Sequence, residues 1–503
     1  MKTYKFLVLL FGLSIVASCS DLEEQPIGVL APDGFFKTPA DIQTAANAAF
    51  GHMTHEDFWG RKMSLPLMLR SDMVAIGDPT TATRRIEHDD FNVPTDNGMI
   101  SGYWLRVYQM IAAANQAIAG AEDVDVSAAI KNPITAQAYF ARAFAYFHLV
   151  RQFGDIPYVS EPITDLEVSG SISKTSAAQV YENIIADLEF AKQWLPNTQV
   201  ARSIPAKSAA ISYLALVHLT TGNFPDAYSE AMEVINQAGT FNLDLEPDFQ
   251  NLFDATKTDN SLEPIFVLDF IGASNGDDGR DYQAALTGIR SDEQYGLGGG
   301  WSVAVPSLEV YNTWDDRDYR KQVSFDATGV FDDNVEDFSI FRNFNSRAVN
   351  RPHIAKYTRS VGNFATGNGR GSETNYMMMR YAEVLLIAAE AGNEINNPDG
   401  NIEMLLNRVR ARARNGSAFP ADLTGLNQSA FRTAVLEERR LELAFEFKRW
   451  YDIARRKLGT QVFNAAGLEG EKPNFDPNQD YLYPLPEEEL ARNPNLMPNN
   501  PGY

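Results

Sequence analysis

AAISYLALVHLTTGNFPDAYSEAMEVI, residues 209–235, decides the fold. A run of small and apolar residues stops at Gly222, Phe224 follows two places on, and Ala227 falls within a second run. Glycine ends helices because it enters the left-handed conformation without strain. Small residues on facing turns let two helices approach closely. The stretch therefore predicts two helices joined by a tight turn, the first spanning 205–221.

Similar pairs lie on either side. In YWLRVYQMIAAANQAIAG (103–120), Trp104, Val107, Tyr108, Ile111, Asn115 and Ile118 recur at three- and four-residue steps along one helix face. In ITAQAYFARAFAYFHLVRQFG (134–154), alanines at 136, 138, 141, 143 and 145 alternate with aromatics, a pattern for close helix packing. Helices are expected over 102–120, 134–153 and 177–194, and in a last region over 376–393, 401–414 and 430–457. The layout around Gly222 resembles the tetratricopeptide repeat. One such pair cannot bury its apolar face, so pairs stack. Their spacing is irregular, which predicts degenerate repeats inside a mainly α globular body rather than an open solenoid. Two loop-rich inserts interrupt it, over 52–100 and 254–375. The second holds short apolar pieces such as PIFVLDF (264–270) and the turn GLGGGW (296–301). Loops this long usually carry function.

The N-terminus addresses the protein. The apolar run 6–17 is about twelve residues, too short to span a bilayer. It follows Lys2 and Lys5 and ends in small residues, the layout of a secretory leader over 1–18. Cys19 is the single cysteine of 503 residues, so no internal disulfide forms. Val16-Ala17-Ser18-Cys19 looks like a bacterial lipobox, which makes Cys19 an acylation point and Ser20–Glu24 a polar tether. Two or three acyl chains would anchor it stably. Net charge is −23, and losing Lys2 and Lys5 with the leader leaves 41 cations against 66 acids. With no basic stripe along the chain, nucleic-acid binding is excluded.

A family resemblance rests on RYAEVLLIAAEAGNE (380–394), LNRVRARAR (406–414), EERRLELAFEFKRWYDIARR (437–456) and the ending YPLPEEELARNPNLMPNNPGY (483–503). PDGFFKTPADIQTAANAAF (32–50) agrees with it. The chain resembles the SusD/RagB family of surface lipoproteins over essentially its mature length. It departs at Met497-Pro498-Asn499, where Gln before Asn-Pro-Gly-Tyr is more usual. The resemblance implies a right-handed superhelical scaffold of tetratricopeptide-like hairpins with long inserts and a few short strands. It divides the mature chain into 19–253, an insert 254–375, and 376–503. It also implies capture of oligo- or polysaccharide outside the outer membrane and delivery to a TonB-dependent, SusC-like transporter, over which the protein forms a lid. Such a lid needs an interface above about 1,000 Å². A peptide-binding lid of the same architecture is the first alternative, and a glycan-degrading enzyme a weaker one. Read on its own, the 437–456 helix carries Leu443, Phe447, Trp450 and Ala454 on one face. Glu446–Arg449 and Asp452–Arg456 stand at neighbour spacing, a structural brace. The proline-rich tail is expected to lie extended over the surface.

A glycan site needs flat rings exposed on loops, with planar polar groups to bridge hydroxyls. Trp104, Trp194 and Trp450 sit on helix faces and serve packing; Trp314 reads as structural. The candidates are Trp59 in the early loop, Tyr295 and Trp301 around the glycine-rich turn, and Tyr282 behind them. Asp78, Arg84 and Arg85 are the polar candidates, the arginines hinting at an anionic ligand. His52 and His55 do not form a His-Glu-x-x-His zinc motif. His148 and His218 lie in apolar helices and read as core residues. The 367–371 glycines open no helix, so they cradle no phosphate. No cofactor is expected. Asp277, Asp278 and Asp281 offer oxygen ligands for calcium but lack the closing Glu of an EF-hand, and a hydrated turn is the stronger reading.

Overall fold

The computed structural model describes residues 34–272, 279–295, 299–341, 347, 349–363, 370–396, 401–463 and 472–503. The leader and Cys19 lie outside them. The helices that build the stack and the site are α1 (Pro39–Gly51), α2 (Thr83–Asp89), α3 (Gly98–Gly120), α4 (Ala128–Phe153), α5 (Ala177–Trp194) and α6 (Lys207–Thr221). They continue as α7 (Phe224–Asn236), α8 (Tyr381–Glu394), α9 (Ile402–Ala413), α10 (Gln428–Glu442) and α11 (Arg449–Arg455).

Packing follows chain order. From α3 to α7 each helix lies against the next, and α1 lies against α3 and α4. Then α7 packs on α8, although the whole second insert separates them in sequence, and α8 receives α9 and α10. The main apolar core consequently draws on residues from Ala49 to Leu496. At the turn between α6 and α7, Gly222 adopts φ +80° and its N–H reaches the carbonyls of His218 and Leu219, closing the helix. Ala227 and Ala231, one turn apart on α7, are fully buried.

The helix α4 starts six residues before the expected Ile134. Pro133 lies in its second turn, where the missing N–H leaves only the carbonyl of exposed Ala129 to water, so the helix tolerates it. Residues 376–380 are a strand rather than the start of a helix. Here β1 is Val74–Ile76, β2 Pro264–Leu268, β3 Ala304–Pro306 and β4 Tyr376–Arg380. Antiparallel pairing of β2 with β4 closes the neck of the second insert, so residues 269–375 leave and return through adjacent strands. Antiparallel pairing of β1 with β3 joins the early loop to that insert, Val74 opposite Pro306 and Ile76 opposite Ala304.

The expected helix over 430–457 breaks between Glu442 and Arg449. Phe445 and Phe447 both adopt φ +64°, and both rings are buried. Such a conformation is strained for a side chain with a Cβ, and a charge network holds it. Arg380 donates to Glu263, Glu442 and Glu446; Arg320 meets Asp318, Glu438 and Glu442; Arg412 meets Glu263 and Glu442. Lys356 adds a fourth cation on Glu446 at 2.9 Å. Glu446 therefore turns inward and does not pair with Arg449, which binds Asp72 at 2.6 Å. Asp452 pairs with Arg439 and Arg455, and Arg456 with Glu390 and Glu394. Burying a charge is costly unless it is paired, and each of these has an opposite partner. Burial pushes the Glu442 carboxyl up, but Arg412, Arg380 and Arg320 outweigh it and hold it well below the ordinary carboxylate range.

The tail is not merely extended over the surface. A short helix, Glu487–Arg492, interrupts it, and Tyr483 and Leu485 are buried. The Tyr483 N–H donates to the Gln152 carbonyl (2.7 Å), and Asn500 Nδ2 donates to the Phe153 carbonyl (2.8 Å).

Candidate functional site

The β1–β3 pair brings the two inserts together at Asp78 and Trp301. Beyond the strands, the Gly77 and Asp78 N–H groups donate to the carbonyls of Val303 and Ser302, each at 2.8 Å. The Trp301 N–H donates to the Ala285 carbonyl at 2.6 Å. A side chain at Gly300 would strike the Gly288 carbonyl, so glycine is what permits this close crossing of two backbones. Gly300 thus serves to seat Trp301.

Trp301 is half-buried and packed at the edge of the core. Tyr282 backs it, ring centroids 6.0 Å apart. Tyr282 is itself buried; its hydroxyl donates to Glu56 at 2.7 Å, and the Arg61 guanidinium lies 4.8 Å from its ring centroid. Arg61 also pairs with Glu56. The guanidiniums of Arg85, on α2, and Arg370 lie 5.7 and 5.9 Å from the Trp301 ring centroid, within cation–π range. Arg85 donates to Thr81 Oγ1 at 3.0 Å. Burial, then the charges of Arg61 and Arg84, push the Arg85 guanidinium down to about 10. Arg84 is exposed on the same turn.

Three of the expected ligand-facing groups are buried instead: Arg85 beside the indole, and Trp59 and Asp78. Trp59 is 2% exposed and sits among Phe58, Phe144, His148 and Phe447 at centroid distances of 5.7, 6.4, 5.0 and 5.6 Å. A π-helical turn over Glu56–Gly60 points it into the core, so it is a packing residue. Asp78 is 1% exposed and fully engaged. It accepts from the Thr80 N–H (2.9 Å) and hydroxyl (2.7 Å) and from Arg290 (2.7 Å), and pairs with Arg347 (3.2 Å). Its role is to hold arginines: Arg290 also donates to the Trp301 carbonyl at 2.6 Å. Tyr295 lies apart, its hydroxyl donating to Asp326 at 3.0 Å; among the described residues no ring contact joins it to Trp301.

Of the calcium candidates, Asp277 and Asp278 lie outside the described residues. Asp281 is fully buried, accepting from Ser372, from Tyr376 and from the Gln283 N–H (2.7 Å), which leaves its carboxylate committed to the protein. The Arg106 guanidinium lies 3.0 Å from His52 Nδ1 and 2.8 Å from His55 Nε2, and His55 Nδ1 accepts from the Asp57 N–H (2.9 Å), so these rings are engaged within the protein. His148 and His218 are buried, with Tyr451 (3.0 Å) and Asn223 (3.3 Å) as respective partners.

The residues missed from sequence are Arg61, Arg290, Arg347 and Arg370. No local signal marks them, since four separated segments supply them and only strand pairing unites them.

The family model described as "SusD family" matches residues 339–503, and that described as "Starch-binding associating with outer membrane" matches residues 43–219. SusD-like protein P2 of Formosa agariphila is 53% identical, covering the whole of both chains. Among solved structures, a SusD homolog from Bacteroides thetaiotaomicron superposes with TM-score 0.81 at 20% identity, over 94% of this chain and 98% of that one. A laminarin-binding SusD-like protein superposes with TM-score 0.79 at 22% identity, over 93% and 100%. Fold, both ends of the sequence and full-length identity agree: this chain belongs to the SusD family.

Proposed function

We propose that this protein is a lipid-anchored lid on the outer face of the outer membrane, one that captures oligo- or polysaccharide and passes it to a TonB-dependent, SusC-like transporter. Cys19 would carry the acyl chains, and acylation of the mature N-terminus is testable by mass spectrometry. The protein binds without breaking bonds; release of reducing ends by the purified chain would overturn that. The observation that carries the reading is Trp301. Its half-buried indole is seated by backbone crossings on one side and backed by Tyr282, with guanidiniums 5.7 and 5.9 Å from the ring centroid. A pyranose C–H face packs on such a ring while planar donors take its hydroxyls. A laminarin-binding relative with this fold supports a carbohydrate ligand. Arg84 and Arg85 are the adjacent polar groups, and Tyr295 would serve only a ligand long enough to reach it.

Affinity electrophoresis through gels holding a panel of polysaccharides is the test. Retardation by one of them, lost in Trp301→Ala, is the expected result. Binding to peptides with none to glycans would favour a peptide-binding lid instead.

A further inference from the structure

Resting on the reading of Trp301 as the sugar platform, we infer that the ligand is a polyanionic glycan, whose carboxylate or sulfate groups are taken by Arg85 and Arg370 beside the indole. The charge distribution leads there. The protein is strongly acidic, with 66 Asp and Glu against 43 Lys and Arg. Most of its buried guanidiniums elsewhere are matched with acids: Arg320, Arg380, Arg412, Arg439 and Arg455 each meet two or more carboxylates, while Arg70 lies on the rings of Trp450 and Tyr483 and donates to the Asp480 carbonyl.

Around Trp301 that balance reverses. Arg61, Arg84, Arg85, Arg290, Arg347 and Arg370 gather at the ring, at Tyr282 and at Asp78. Among the described residues, the carboxylates paired with this group are Glu56 and Asp78, and both are already occupied. Glu56 is held by Arg61 and Tyr282, Asp78 by Thr80, Arg290 and Arg347. Among the described residues, Arg85 and Arg370 have no carboxylate partner; the one hydrogen bond of the Arg85 guanidinium is to the neutral Thr81 hydroxyl. The lowered affinity of Arg85 for its proton is a consequence of burial plus that surplus.

A neutral sugar does not require such a surplus, because hydroxyls are served as well by carboxylates and amides. A uronic acid or a sulfate ester does. The guanidinium fork matches both groups bidentately, at a distance that leaves the ring of the same sugar on the indole. An acidic peptide would meet the same arginines but has no saccharide face to lay on Trp301.

The full chain, purified from membranes in non-ionic detergent, is run through native gels containing dextran, carboxymethyl-dextran or dextran sulfate, with polyglutamate as a fourth gel. These dextrans share one backbone and differ in charge, and the two charged forms separate carboxylate from sulfate recognition. Retardation by a charged dextran is expected, weakening about tenfold between about 50 and 300 mM NaCl. Arg370→Ala, at an exposed position that leaves the fold intact, weakens it about tenfold, and Arg370→Lys restores part of the loss. Three results overturn the inference. Retardation by dextran equal to that by its charged forms, insensitive to salt and lost in Trp301→Ala, removes the anion but keeps the glycan platform. No retardation by either charged dextran removes the anion too. Retardation by polyglutamate alone removes both this inference and the glycan reading beneath it.

Discussion

Trp59 and Trp301 show how one residue type serves two ends. Each follows a stretch without helical period, and each lies in a loop-rich insert. Trp59 is enclosed by rings from α4 and by Phe447, 388 positions later in the chain, whereas Trp301 stays half-buried at the edge of the core. Local sequence carried no trace of Phe447, which is why the two read alike. Truncating them separates the roles. Trp59→Ala opens a cavity in the core and is expected to lower stability by about 3–5 kcal/mol, read from the urea midpoint. Trp301→Ala is expected to change that midpoint by less than about 1 kcal/mol while abolishing glycan retention. Comparable destabilisation by both would place Trp301 in the core and refute its role. The arginines of the site were legible only in part: Arg84 and Arg85 are adjacent in sequence, but their companions arrive from other segments.

At the level of elements, periodicity revealed most of what is helical. The 177–194 helix stands at its expected limits, and the α6–α7 turn falls at Gly222. There, a Cβ would find open space, so the whole penalty of Gly222→Ala is conformational. About 1 kcal/mol of lost stability is expected, measured by chemical denaturation; no loss would show that the turn relaxes. What periodicity did not show was the break before α11. A heptad-like run of Leu443, Phe447, Trp450 and Ala454 suggests continuity, yet Glu446 is drawn to Arg380 and Lys356 from 66 and 90 positions away. Electrostatic matching between distant segments overrides local propensity, and no window along the chain contains both partners.

For the whole molecule, the buried network makes stability depend on acidity. Glu442, Glu446, Glu390 and Asp452 are each pushed up by burial but held lower still by their arginines, with Lys356 helping at Glu446. Below their usual values the unfolded chain binds protons that the folded chain resists. Their contribution is therefore complete above about pH 5 and declines as pH falls through the carboxylate range. Thermal midpoints recorded from about pH 7 down to about pH 3 should fall steeply. Glu442→Gln, which leaves Arg380, Arg412 and Arg320 short of one negative charge, should lose about 3–5 kcal/mol already at neutral pH and fall less steeply. Parallel profiles would refute the assignment. The neck formed by β2 and β4 has a further consequence. Because residues 269–375 depart and rejoin at neighbouring points, α7 meets α8 across the insert, which ties back to the frame through Arg320 and Lys356. Heredity can therefore remodel the insert's loops beyond those ties while descendants of one ancestor keep a common skeleton.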